Sequence, residues 1–224
     1  MAFANPSYPN QPDFITFCQN QGVTTTYLPT ASDYYTWSFD YAYDIVYSVP
    51  EIPQGLYVIA VYNLGMHHLL TIAQDTTGLA LTSLTWAGGQ VTATTTAALA
   101  ASVGETITVA ISGSVPLGYN GTYTAVVTGA NTFVYELPTD PGTVTQVGTY
   151  GIVFFSAQRK AYQLLSMVAG PIQSSSDEST SQSIAVSDMF KNLTFSDIDF
   201  MKTPWGRQYL SYAQTYGPTV VGVS

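Results

Sequence analysis

The chain has 224 residues, a formal net charge of −9 and only 8% charged residues, against about 25% in ordinary soluble domains. That length builds a sizeable core without disulfides or metals, and the lone Cys18 has no partner for an internal disulfide. The first 158 residues carry nine acids and no base, while Arg159, Lys160, Lys191, Lys202 and Arg207 follow among five acids, which excludes gripping nucleic acid through a phosphate-neutralising patch.

The N-terminal MAFANPSYPNQPDF lacks the positive region and apolar run of a signal peptide. No stretch reaches the roughly 18 apolar residues of a membrane span, so no membrane partner is expected. Pro6, Pro9 and Pro12 keep the start extended. Asp13 can cap a helix to about Gln21, which Gly22 ends, and VTTTYLP reads as extended or strand-like. Ser32 or Asp33 opens a second helix over 34–49. Pro53 suits the first turn of a third, about 53–75, apolar around most of its circumference and so the central buried helix.

Residues 79–152 change texture. Thr, Val, Gly and Ala dominate, and about six short strands separated by turn residues predict a small β-sandwich or barrel. Asn120-Gly121 carries the signal of a type I′ hairpin turn, and TGANTF supplies another. Beyond 152, FFSAQRKAYQLLSMVA has helical spacing and Gly170-Pro171 ends it. IQSSSDESTSQSIAVS predicts a hairpin or extended arm. Ser196 and Asp199 resemble a capping box for one short turn. Thr203 then caps a last helix with Pro204 in its first position. Trp205, Tyr209, Tyr212, Ala213 and Tyr216 fall on one aromatic face of it.

The predicted class is therefore α+β: a small α-helical bundle domain (1–78 and 153–224), an inserted all-β module (79–152, an Ig-like sandwich or barrel) and an extended β-hairpin arm. Domain insertion of this kind is tolerated because domain termini often lie close together.

Chemistry is sparse. His67 and His68 point about 100° apart on a helix and cannot chelate one ion from the same face; one is expected inward and one outward. Asp177-Glu178 sits in a polar serine-rich segment, not across a cleft. Neither WAGGQ nor GSVPLGYNG fits a phosphate loop. Cys18 has no basic neighbour in sequence to lower its pKa. No catalytic residue, metal site or cofactor is expected. Exposed Trp86, Tyr119 and Tyr123 would suit a β-module that binds carbohydrate or a receptor.

One ordered set of segments carries a resemblance. An aromatic helix, YYTWSFDYAYDIVYSV, precedes NLGMHHLLTI. GPIQSSSDESTSQSIAVS follows, and then Thr203, Trp205, Gly206, Tyr209 and Leu210 in a Thr-x-[WY]-Gly-x-x-Tyr-Leu pattern. This order, over both flanks, resembles the head–tail connector (adaptor) proteins of tailed bacteriophages. VGETITVAISGS and YNGTYTAVVTGANTFVYELP resemble small β-domains inserted in phage structural proteins.

The resemblance implies a structural virion protein at the neck, made in the host cytoplasm. It would form a ring, a dodecamer in such adaptors, that docks on the portal and offers a surface to tail or neck proteins. The ring would enclose DNA without sequence-specific binding; an acidic chain suits that, since like charges repel. Candidate interface residues are Lys202, Trp205, Arg207, Tyr209 and Tyr212, with Lys202 and Arg207 expected to meet acids of a neighbouring chain. The serine arm (Ser174, Ser176, Ser181) and the uncharged tail (Val220, Val221) are candidates for β-pairing with a neighbour.

Overall fold

In a computed structural model, the structure describes residues 8–47, 52–166, 174–177, 180–183 and 195–216. The fold is mixed α+β, with helices flanking a closed six-stranded antiparallel barrel. It divides into two compact units: residues 11–36 with 72–158, and 37–71 with the described residues after 158 and residues 8–10.

In the first unit, helix α1 spans Gln11–Asn20. It starts before Asp13, so this acid lies in the first turn instead of capping it. Gly22 ends it with a φ of 100°, a conformation open to glycine. VTTTYLP is not a strand. The Thr24 carbonyl accepts from the N–H of both Tyr27 and Leu28, at 3.0 and 3.1 Å, which winds the segment into a turn. The turn leans on the barrel. Thr26 Oγ1 donates to Glu105 Oε1 at 3.0 Å, and the Tyr27 ring stacks on Phe154 with centroids 4.3 Å apart.

The barrel strands are β1 (Thr76–Ala87), β2 (Gln90–Thr95), β3 (Thr106–Ser112), β4 (Gly121–Gly129), β5 (Thr132–Glu136) and β6 (Thr149–Ile152). They close in the order β1-β2-β5-β4-β3-β6. Of the two architectures the strand pattern allows, this is the barrel. Period-2 alternation sends Ile107, Val109 and Ile111 of β3, and Ala125 and Val127 of β4, into a core shared with Phe133, Tyr135 and Tyr150.

The tightest hairpin turn is Gly88-Gly89 between Ala87 and Gln90. Both glycines have positive φ, 58° and 88°, as a type I′ turn requires. Asn120-Gly121 does not form such a turn. Asn120 is extended (φ −80°) after a 3-10 turn over Leu117–Tyr119, and Gly121 begins β4. Instead, the Asn120 side chain bridges Ser114, accepting from its N–H and donating to its carbonyl, both at 2.9 Å. Ala130-Asn131, in the TGANTF segment, joins β4 to β5 as expected.

Asp75, just before β1, organises the exit from the barrel. Its carboxylate accepts the N–H groups of Phe154 (2.9 Å) and Phe155 (2.6 Å), and also the N–H and hydroxyl of Ser156. It thereby caps helix α4, Phe155–Ala161. This helix is shorter than the sequence pattern predicts. Gln163 takes φ of 53°, and the chain closes with Leu164 N–H to the Arg159 carbonyl and Gln163 N–H to the Lys160 carbonyl. Those two bonds are a Schellman stop, here with glutamine in the place usually held by glycine. Leu165 is consequently exposed.

The second unit centres on α3 (Gln54–Ile72), of which eleven residues are buried. By length and mean hydropathy α3 also passes as a membrane span, but 61% of that window is buried inside the protein. Helix α2 (Asp33–Tyr47) meets it through Tyr41 stacked on His68 and Tyr43 edge-on to Tyr57. Helices α5 (Phe195–Phe200) and α6 (Pro204–Tyr216) complete this unit. Ser196 is the second residue of α5. The capping box expected there does not form, and Asp199 serves another purpose. Strands β7 (Ser174–Asp177) and β8 (Thr180–Ser183) pair antiparallel as a two-stranded sheet.

Candidate interface site around Thr203

Thr203 is fully buried and caps α6, its Oγ1 accepting the Gly206 N–H at 2.9 Å. The same oxygen lies 2.8 Å from His67 Nδ1 in the middle of α3. His67 Nε2 faces Asp199 Oδ2 at 3.4 Å, and Lys202 Nζ holds Asp199 Oδ1 at 2.8 Å. These contacts set the proton positions. The Asp199 carboxylate, paired with Lys202, accepts, so a neutral imidazole carries its proton on Nε2 toward Asp199 and accepts the Thr203 hydroxyl proton at Nδ1.

Burial lowers the His67 pKa below its ordinary value, and Asp199 offsets only part of that. A Thr–His–Asp chain invites comparison with a nucleophilic triad. Here the hydroxyl is buried and already serves a helix cap, which suits architecture and not attack on a substrate.

Around this knot the sequence candidates take distinct places. Tyr209 is buried edge-on to Phe200, whose ring also meets His67 edge-on. Trp205 is half-buried against Tyr162, and Tyr212 is half-buried with its hydroxyl accepting from Gln208 at 2.9 Å. Gly206 is obligatory for packing: a Cβ there would overlap the Phe200 carbonyl.

Lys202 already has an acid in its own chain, Asp199, and donates to the carbonyls of Leu164 and Ser166 at 3.2 and 2.9 Å. Arg207 is exposed and donates to the Met201 carbonyl at 2.9 Å. Ser174, Ser176 and Ser181 lie in the β7–β8 ladder, where Ser176 is opposite Ser181 and Ser174 opposite Ser183. Val220 and Val221 lie outside the described residues.

The barrel candidates are less exposed than the sequence suggests. Tyr119 is only 2% exposed and donates to the Gly142 carbonyl at 2.9 Å. Trp86 is half-buried with its Nε1–H on the Leu137 carbonyl at 2.8 Å. Tyr123 is half-buried and stacked on Tyr135 at 4.4 Å. The 137–147 loop takes the polar ends of Tyr119 and Trp86, long-range contacts that strand patterning does not reveal, and the Asn120 carbonyl takes the Tyr123 hydroxyl at 3.1 Å. Tyr123 does border an open groove of about 690 Å³ on the β4–β5 face, with Gln90, Thr124, Val126 and Glu136.

Among the described residues, no three His, Cys, Asp or Glu side chains come together as metal ligands. Cys18 is buried, which pushes its thiol pKa well up, the opposite of activation. The sequence places the Thr203 cap but not its partners, because His67 lies on α3 and the acid beside it, Asp199, on α5.

Compared with family models, curated proteins and solved structures, the chain matches none.

Proposed function

We propose that this chain is the subunit of a structural ring, a head–tail adaptor of a tailed phage that docks on the portal and passes the tail or neck a surface around the DNA channel. The observation that carries the reading is the convergence of the resembling motif. His67 and the Thr203–Leu210 element, far apart in sequence, lock together at the Thr203 cap. In that lock, the motif residues hold a helix in place instead of presenting reactive groups.

The β7–β8 hairpin supports the same reading. Its two strands pair only with each other among the described residues. On this reading their outer edges take up a strand from a neighbouring subunit. A net charge of −9 suits a ring around DNA. On this reading the inserted barrel faces a neighbouring ring or the outside.

The test is mass spectrometry of purified particles with imaging of the neck. The chain is expected in a fixed copy number at the head–tail joint, a dodecamer on the adaptor reading. Its absence from particles overturns the proposal. The groove beside Tyr123 favours one second reading, a decoration or tail protein that binds carbohydrate. Glycan screening of the whole chain separates the two, since the adaptor reading expects no binding.

A further inference from the structure

The second unit carries two exposed surfaces of opposite character. On α2, Trp37, Asp40, Tyr41 and Asp44 recur at helical spacing, so they form one stripe. Ser38, Ala42 and Val46 on the other side are buried. All four stripe residues are exposed, Trp37 by 56%. Neither Asp40 nor Asp44 has an ion pair among the described residues.

The basic residues are just as unevenly placed. Arg159 is buried and donates to the Leu70 carbonyl; Lys202 is held by Asp199. Lys160 and Arg207 remain exposed, with no acid paired to either among the described residues. Lys160 lies in the last turn of α4 and Arg207 in the first turns of α6. Tyr162, just past α4, meets Trp205 edge-on, and Lys202 just before α6 donates to the Leu164 and Ser166 carbonyls, which brings the two helix ends together.

We infer that the α2 stripe is the docking surface for the Lys160–Arg207 corner of a second copy of this chain. The chemistry of the two patches fits. Aspartates meet cations, and the exposed Trp37 ring suits a guanidinium or ammonium above it. Trp, Tyr and Arg are also the residues that most often dominate binding energy at interfaces.

The stripe cannot pair with itself, because two copies face to face would set Asp40 and Asp44 against like charges. Contact must therefore join different patches, either reciprocally in a two-fold dimer or head to tail. A head-to-tail contact closes into a ring when its rotation permits and otherwise grows into a filament. The inference deepens the adaptor reading and rests on it for ring closure, but the contact itself rests on the two patches.

The test is sedimentation of the purified full chain at low salt, where exposed charges are least screened. Two double variants are needed, Asp40→Lys with Asp44→Lys, and Lys160→Glu with Arg207→Glu. Wild type should self-associate, and each variant alone should be at least tenfold weaker. A mixture of the two should recover assembly in one-to-one alternation, because one carries two basic patches and the other two acidic ones. Trp37→Ser should also weaken wild-type association.

All these positions are exposed, so the thermal transitions should match wild type; a lost transition in a variant shifts the decision to the mixture and to Trp37→Ser. A wild type that stays monomeric, variants that assemble alone as wild type does, or a mixture that stays monomeric would each overturn the inference. Absence from particle necks would overturn the adaptor reading and leave the contact standing.

Discussion

His67 Nδ1 lies 2.8 Å from Thr203 Oγ1, which ties the middle of α3 to the first turn of α6 across 136 positions. The hydroxyl has two tasks there, accepting the Gly206 N–H and donating to the imidazole. Thr203→Val keeps the shape and removes both. The lost cap and the orphaned Nδ1 together should destabilise the fold by about 2–4 kcal/mol in urea unfolding. Thr203→Ser, which keeps the oxygen, should recover most of that. Equal losses in the two variants would show that the methyl, not the hydroxyl, matters.

Gly206 makes the sharper test, because two rules disagree about it. Helix propensity alone says Gly206→Ala stabilises by about 1 kcal/mol. The Phe200 carbonyl occupies the place of the new Cβ, and backbone gives way poorly. We expect overpacking to win, with a net loss of about 1–3 kcal/mol. A raised melting temperature would refute the close α5–α6 approach.

Acid should weaken this unit through its histidines. Burial holds His68 down to about 4 and His67 below its ordinary value of 6.5. Between the unfolded and folded pKa values the unfolded chain binds more protons. This contribution is therefore full above about pH 6.5 and is lost as pH falls toward the folded values. His68 lies stacked on Tyr41, centroids 3.9 Å apart, so His68→Phe keeps the ring contact and removes a proton site. Its stability should fall less steeply than wild type from pH 6.5 to 4, as read by urea midpoints. An unchanged slope would assign the acid loss elsewhere.

Asp75 should matter although it lies in no helix. Its carboxylate takes the free N–H groups of Phe154 and Phe155 at the start of α4. Asp75→Ala should cost about 1–2 kcal/mol, and Asp75→Asn less, since an amide oxygen still accepts. Hydrogen exchange at Phe155 and Ser156 reads the effect locally, and unchanged protection there would contradict the cap.

Much of this was legible in the chain because it is local. Gly22, the α2 and α3 spans and the Thr203-Pro204 start of α6 follow from caps, proline and 3.6-residue spacing. The change to a β-module follows from Thr/Val-rich alternation and glycine turns. Local rules failed where a competing bond prevailed. Asn120 turned from a hairpin residue into a bridge to Ser114. Gln163 ended α4 early with a stop that usually needs glycine.

What the sequence by itself determined is the main helices, the change to a β-module, their amphipathic faces and a charge asymmetry that any folded arrangement must carry. Those depend on neighbours within a few residues. Only the tertiary structure decided that the strands close into a barrel, that Tyr119 is covered, and that Asp199 and Thr203 meet His67. Such contacts join residues tens of positions apart, and their partners are selected by packing, which a one-dimensional pattern does not encode.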